Sequence, residues 1–381
     1  MTKACYVGVD GKARKVKKLY VGVDGKARKV KKAYVGVGGV ARPFFSEEQK
    51  LEYYGTVTAL SSAVRRPAAT TNGTYALVGP SSTMDFMSSL NVVNVYSEYL
   101  VRTNAATLPV AGYYYSAAHV GDYALFATGV TNFNQRPTGV TAYDKSLVTR
   151  SPAGLSTGRY SIFTTNVGDY ALFAGGSLDL NSGYTRVVDA YNTSLVRSTP
   201  TALSNAGLKG AATHVGDYAL VAGVNGSLAI DAYSASLVKS NPATLPKACD
   251  STATTVGNYA LFILSGGTYS DEICAYSATL VRSTPAKLSV SRANTAATHV
   301  GSFAIFAGGY TGTTSSGWLT NYTTSTVVDT YNGSLVRATG NPLSAARFDP
   351  GATHVGNYAV FAGGSTDDAG SNLAVVDVYS V

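Results

Sequence analysis

Charge, tryptophan, histidine and sulfur are all scarce in this chain. Of 381 residues only 14% are charged, and there are one tryptophan, four histidines, three cysteines and three methionines. Helical periodicity is nearly absent, with room for one short turn at most over residues 47–54. No apolar run reaches the ~20 residues that a membrane-spanning helix needs. Met1 is not followed by the apolar core of a signal peptide. The expectation is assembly in a cytoplasm, with any role outside the cell reached as part of a larger particle. Cys5, Cys249 and Cys274 form an odd set without metal-ligand or redox spacing, which reads as unpaired thiols in a reducing compartment. Neither a Gly-x-Ser-x-Gly elbow nor a phosphate-binding loop occurs.

Glycine (40) and tyrosine (27) are what the chain has in abundance, a profile of an all-β protein with many tight turns. The segment Ala211 to Gly223, Ala-Ala-Thr-His-Val-Gly-Asp-Tyr-Ala-Leu-Val-Ala-Gly, returns in variant form seven times. Its turn glycines are Gly73, Gly121, Gly168, Gly216, Gly257, Gly301 and Gly356, spaced 48, 47, 48, 41, 44 and 55 residues apart. That period fits a four-stranded propeller blade, and seven blades close a ring. In the reference copy, 187–191 reads as the third strand, Asn192-Thr193-Ser194 as a turn, and Leu195-Val196-Arg197 as the start of the outer strand. Residues 211–214 read as the inner strand, Gly216-Asp217 as a hairpin turn and 218–222 as the second strand. The last copy stops at Val381 before its outer strand. Leu51 to Ser61 matches Leu195 to Ser204 in its Thr-Ala-Leu-Ser ending, so the N-terminal side should close the last blade.

Gly-Gly at 175–176, 308–309 and 363–364, followed by Tyr in the next strand and an apolar residue beyond it, resembles the kelch repeat over about 330 residues. Leu replaces the outer-strand tryptophan, and the Tyr-to-Leu turn is shortened. The resemblance implies a kelch-like propeller; such propellers serve both as binding modules and as enzymes.

The net charge of +8 is unevenly placed. Residues 1–32 hold eleven Lys/Arg and two Asp, and the other 349 residues hold nineteen basic and twenty acidic groups. The basic stretch is itself a repeat of period 14, over 6–18, 20–32 and 34–45, with Asp-Gly or Gly-Gly set between β-forming runs as hairpin turns. Gly38-Gly39-Val40-Ala41-Arg42-Pro43-Phe44 resembles the hairpin repeats of tail and virion structural proteins from phages and prophages of Gram-positive bacteria. The resemblance implies an attachment module, with Tyr6, Tyr20, Tyr34, Arg42 and Phe44 as its contact residues. A solvated basic tail and a nucleic-acid arm are the alternatives. Regular Tyr/Val placement argues against the first, and nucleic acid is not an expected partner.

Residues that recur in register are expected to be scaffold. His119, His214, His299 and His354 share one position, where the other copies place Thr71, Asn166 and Thr255. They should hydrogen-bond beside the hairpin turn and stay too dispersed around the ring to hold a metal. Asp189, Asp231, Asp329 and Asp377 recur two residues before the third-strand tyrosine. Arg102, Arg197, Lys239, Arg282 and Arg337 recur six after it. These should bond blade to blade or lie on a solvated edge. No blade departs from the rest to supply a catalytic carboxylate pair, so the expectation is a protein that is not an enzyme, with no cofactor and no metal.

What varies is the connection between second and third strands, from about three residues at 268–270 to about seventeen at 310–326. One face should therefore be uniform and the other diversified. Candidate ligand-binding residues on the diversified face are Trp318, Tyr310, Tyr322 and Asn321 on the longest loop, Phe133, Asn134 and Arg136 on 128–139, and Phe86 on 80–91. The sequence reading is a basic hairpin arm over 1–46 and a seven-bladed propeller over 47–381. It expects a phage or tail-like particle component, anchored by the arm to other virion proteins and binding a host-surface glycan or protein through the propeller, in multiple copies. The alternatives are a scaffold contacting only virion proteins and, less favoured, a glycan-active enzyme.

Overall fold

The computed structural model describes residues 6–9, 12–16, 18–23, 26–30, 32–37, 40–46, 49–80, 90–131, 135–179, 183–264, 269–316, 319–367 and 371–381. They fall in two compact units, Met1–Lys50 and Leu51–Val381.

The first unit is three two-stranded antiparallel hairpins: Tyr6–Val9 with Lys12–Lys15, Leu19–Val23 with Lys26–Val30, and Lys32–Val37 with Val40–Ser46. The register of the third shifts beside the Tyr34–Pro43 pair, where proline has no N–H for the ladder. Isolated hairpins cover little apolar surface. Accordingly Val7, Tyr20, Val21 and Tyr34 remain 50%, 54%, 49% and 54% exposed. Tyr6, Arg42 and Phe44 lie on strands of the first and third hairpins, and the expected two-residue turns lie outside the described residues.

The second unit is a ring of seven four-stranded antiparallel blades. Their inner strands are Ala69–Thr71, Ser116–Val120, Phe163–Val167, Ala211–Val215, Cys249–Val256, Ala296–Val300 and Gly351–Val355. Each touches the inner strand of the next blade, and the last touches the first. Glu52–Val57 is the outer strand of the seventh blade, paired with Val376–Ser380. One chain end thus closes the sheet begun at the other, as the Thr-Ala-Leu-Ser match predicts, and this sheet edge is covered.

Seven buried clusters, one at each blade interface, make the core. Second strands such as Tyr218–Ala222 are buried at every position after the first, because they are covered by blades on both sides. The recurring third-strand tyrosine joins blades. Tyr96, Tyr143, Tyr191, Tyr233, Tyr276, Tyr331 and Tyr379 each donate a hydroxyl hydrogen bond of 2.6–2.8 Å to a main-chain carbonyl on the stretch preceding their own blade.

Two local expectations are corrected. Leu195 does not begin an outer strand, which spans only Arg197–Ser198. It sits in the turn with φ 61°, as do Leu100, Leu147, Leu237, Leu280 and Leu335 with φ of 59–61°. The side chain that opens each turn accepts two backbone N–H bonds; Asn192 Oδ1 receives those of Ser194 at 3.0 Å and Val196 at 2.9 Å. That turn holds Leu in a region costing about 1–2 kcal/mol for a residue with a Cβ, while its side chain packs against the interface core. Second, residues 52–57 are strand, so no helical turn spans 47–54.

Candidate functional site

Because strands alternate in direction, the hairpin turns of the inner strands and the Leu turns emerge on one face. The other two sets of connections emerge on the opposite face. The first face is uniform: six Leu turns share one geometry, and the glycine before each Asp or Asn of the inner hairpins holds positive φ. At Gly216 (φ +52°) a Cβ would also come within 3.0 Å of the Ala278 Cβ in the next blade. A hollow of about 500 Å³ on this face is lined by Asp122, Lys145 and other turn residues, and the Lys145–Asp122 ion pair of 2.5 Å lies within it.

The opposite face is diversified. Its second-to-third connections run from 223–229 in the fourth blade to 308–327 in the sixth, so the shortest is longer than expected. The longest is no loose loop. Tyr310–Ser316 pairs with Leu319–Thr324 as a hairpin, with a register shift beside Tyr310. At its base Tyr310 and Tyr322 meet at 4.6 Å between ring centroids, and Tyr322 stacks on the buried Phe348 at 4.7 Å. Arg65 lies over the other sector of this cluster, 4.5 Å from the Phe348 centroid. Tyr269 from the fifth blade meets Tyr310 at 5.7 Å. The two tyrosines therefore anchor the hairpin, while Asn321 is exposed along it. Arg136 belongs to another group, 5.7 Å from the Tyr160 centroid, with Tyr160 stacked on Tyr114 at 5.6 Å. The structure thus brings Tyr310 and Tyr322 together but not with Arg136. Trp318, Phe86, Phe133 and Asn134 lie outside the described residues.

Sequence reasoning missed a ring at the channel mouth. Three residues before the first channel-facing position of each inner strand stand Arg66, Tyr114, Ser161, Lys209, Asp250, Asn294 and Asp349. Almost every blade places a different residue there, and five of them hold φ of 52–57° without being glycine. Asp349 gathers Arg66 Nε at 2.7 Å, Arg65 Nε at 3.0 Å and Asn294 Nδ2 at 3.2 Å. Burial disfavours the charge on Arg66, but the Asp349 carboxylate outweighs it and raises the pKa. Aligning the residues just upstream of each inner strand would have exposed this variation. Below the ring lies a cavity of about 340 Å³, lined by Ala69, Ala212, Ala253, Ala297 and Ala352 among others. The buried Thr295 hydroxyl, on a lining residue, has no hydrogen-bond partner.

Deeper in the channel the histidines depart from expectation. They do not bond beside the hairpin turns. The inner strands alternate buried and half-buried positions, and the half-buried ones face the channel. His299 and His354 lie 4.5 Å apart between centroids, and His214 and His299 lie 6.1 Å apart. The ring is narrow enough that positions spread over several blades converge. Burial, then the neighbouring imidazoles, pushes His214 and His354 down to about 4 and His299 to about 3; burial also lowers His119. Among the described residues no group of three His, Cys, Asp or Glu side chains is placed to hold a metal ion.

The recurring aspartates are scaffold and not on a solvated edge: like the tyrosines they bond the stretch preceding their own blade, Asp231 accepting from the Ser204 N–H at 2.8 Å and Asp329 from the Ser289 N–H at 3.0 Å. Asp189, Asp329 and Asp377 are fully buried. Asp189 meets Arg159 at 2.8 Å and Asp377 meets Arg347 at 2.6 Å, while Arg292 Nη1 lies 2.8 Å from Asp329 without hydrogen-bond angles. These three arginines are themselves fully buried and precede the inner strands; they were not legible as scaffold. The register cations Arg197, Lys239 and Arg337 sit 3.7, 2.8 and 2.9 Å from the aspartates of their own blades. Cys249 and Cys274 are buried thiols, and burial pushes the Cys274 thiol up to about 11, which disfavours its thiolate.

The fold and its channel define a seven-bladed β-propeller. No family model matches the chain, and no curated protein matches it. Among solved structures it is similar to YjhT, at 12% identity and a TM-score of 0.53, over 85% of this chain and 97% of that one. At that identity the likeness is one of fold.

Proposed function

We propose that this protein is a structural component of a phage or phage-tail-like particle. The hairpin arm anchors it to other virion proteins, and the propeller offers its diversified face to a host-surface glycan or protein. The carrying observation is the contrast between faces. One repeats a single turn geometry, while the other varies in loop length, in mouth-ring residues and in an added hairpin. Half-exposed Val7, Tyr20, Val21 and Tyr34 on marginal hairpins support the arm as a surface that needs a partner. Several copies on one particle would let modest contacts add up.

A scaffold reading has one observation in its favour: the Tyr310 and Tyr322 rings are occupied by Phe348 and each other. The two separate by experiment. Full-length protein should bind Gram-positive cells or cell-wall preparations, and removal of residues 6–46 should abolish incorporation into particles while sparing that binding. Incorporation without any cell binding favours the scaffold. Incorporation that survives loss of the arm overturns the anchoring role.

A further inference from the structure

We infer that the cavity beneath the mouth ring holds one uncharged sugar residue, the end of a glycan chain, entering over the third and fourth blades. This rests on the reading of the diversified face as a host-binding surface, and it names the ligand and its place. At about 340 Å³ the cavity lies near the lower end of the ~300–1,000 Å³ of small-molecule sites, room for a single ring and not for a length of polymer. At the first channel-facing level its lining residues are alanines and Thr164, so no long side chain fills it. One level down the imidazoles lie across the channel. His214 of the fourth blade meets His299 of the sixth at 6.1 Å, past Thr255 of the fifth, and His299 meets His354 at 4.5 Å. The cavity therefore narrows to a floor, and a glycan enters it by its end.

The mouth ring is closed along one arc and open along another. From the sixth blade round to the second its side chains bond one another: Asn294 and Arg66 both donate to Asp349, and Arg66 also bonds the Tyr114 hydroxyl. Ser161 and Lys209, on the third and fourth blades, have no side-chain hydrogen bond to any described residue. Ser161 is half-buried and Lys209 exposed, each three residues before a residue of the cavity wall, Thr164 and Ala212. These two side chains can bond ligand hydroxyls without first giving up a bond within the scaffold. Deeper in, no described lining residue carries a charge. An ion there would lose its hydration without a counter-charge. Hydroxyls are instead matched by threonine hydroxyls and main-chain groups, and the C–H faces of a sugar ring by alanine methyls.

The test uses full-length protein and the methyl glycosides of glucose, galactose, rhamnose and N-acetylglucosamine, each titrated by saturation-transfer NMR. At least one should bind with a Kd on the order of 1 mM, as about 12–16 heavy atoms at ordinary ligand efficiency allow. Ala212→Leu, which extends a wall side chain into the cavity, should weaken that binding at least about tenfold while keeping the β circular dichroism spectrum. Should this variant not fold, acetylation of Lys209 in the unaltered protein decides: a saturating glycoside should slow it and leave Lys145 on the uniform face unchanged. No glycoside binding at concentrations well above that Kd, unchanged affinity in folded Ala212→Leu, or Lys209 labelling indifferent to the sugar overturns the cavity site. Retention on a Gram-positive cell-wall preparation is read separately. Retention without glycoside binding strikes the cavity and spares the host-binding reading, whereas glycoside binding blocked by Ala212→Leu without retention supports the cavity and strikes that reading.

Discussion

The two faces of the propeller are made from the same blades yet obey different rules. On the uniform face, each Leu turn is closed by its own Asx or Ser side chain and packed by its own Leu, so the geometry is fully specified within a few residues. On the opposite face, backbone bridges such as Tyr160–Ser177 and Phe348–Ser365 tie four connections to the lead-in of their own blade, and others, such as Ser270–Arg292, reach the lead-in of the next. Side chains and loop lengths are then free to differ. A scaffold that satisfies its polar groups internally leaves one surface open to variation without loss of stability.

The largest expected effect lies in the scaffold. Arg347→Met leaves Asp377 buried without its principal cation and should cost about 3–5 kcal/mol in urea unfolding; a loss near zero would mean that the buried ion pairs are dispensable. Tyr233→Phe removes one blade-to-blade bond, to the Thr201 carbonyl at 2.7 Å, and should cost about 1 kcal/mol. On the diversified face, Asn321→Ala should change stability by less than about 0.5 kcal/mol. A cost as large as the tyrosine's would erase the contrast between faces.

Acid sharpens the comparison among blades. Among the described residues Asp231 of the fourth blade meets no buried arginine, and Lys239, Ser204 and Asn241 hold it. Burial raises its pKa, but these bonds outweigh burial and the pKa lies below the ordinary carboxylate value. A depressed carboxylate pKa adds stability above the unfolded-state value, and this is lost as pH falls through the folded one. Stability should drop on acidification below about pH 4, and Asp231→Asn should be less stable at neutral pH with a flatter acid limb. A variant whose acid limb is as steep as the parent's would remove Asp231 from the account.

Much of the fold was legible because its signals are local. Gly-Asp turns and tyrosine spacing marked seven blades, and a four-residue match across the ends marked the closure. The Leu turn was misread because Leu-Val-Arg has strand composition, while the side chain of Asn192 overrides that preference. Arg159, Arg292 and Arg347 were missed because arginine ordinarily reads as exposed, and only the fold brings each to its aspartate. Register alone spread the histidines around the ring; the narrow channel gathers them. The site was the least legible part, since the mouth ring is defined by positions that share a place in space and no residue type.

The most direct measurement is hydroxyl-radical footprinting of the full-length protein, free and bound to a Gram-positive cell-wall preparation that retains it. Protection should fall on the 310–324 hairpin and on Tyr114 and Asn294 at the channel mouth, with Leu147, Leu195 and Leu237 of the uniform turns unchanged. Protection confined to those Leu turns would contradict the claim that binding belongs to the face where the repeat breaks.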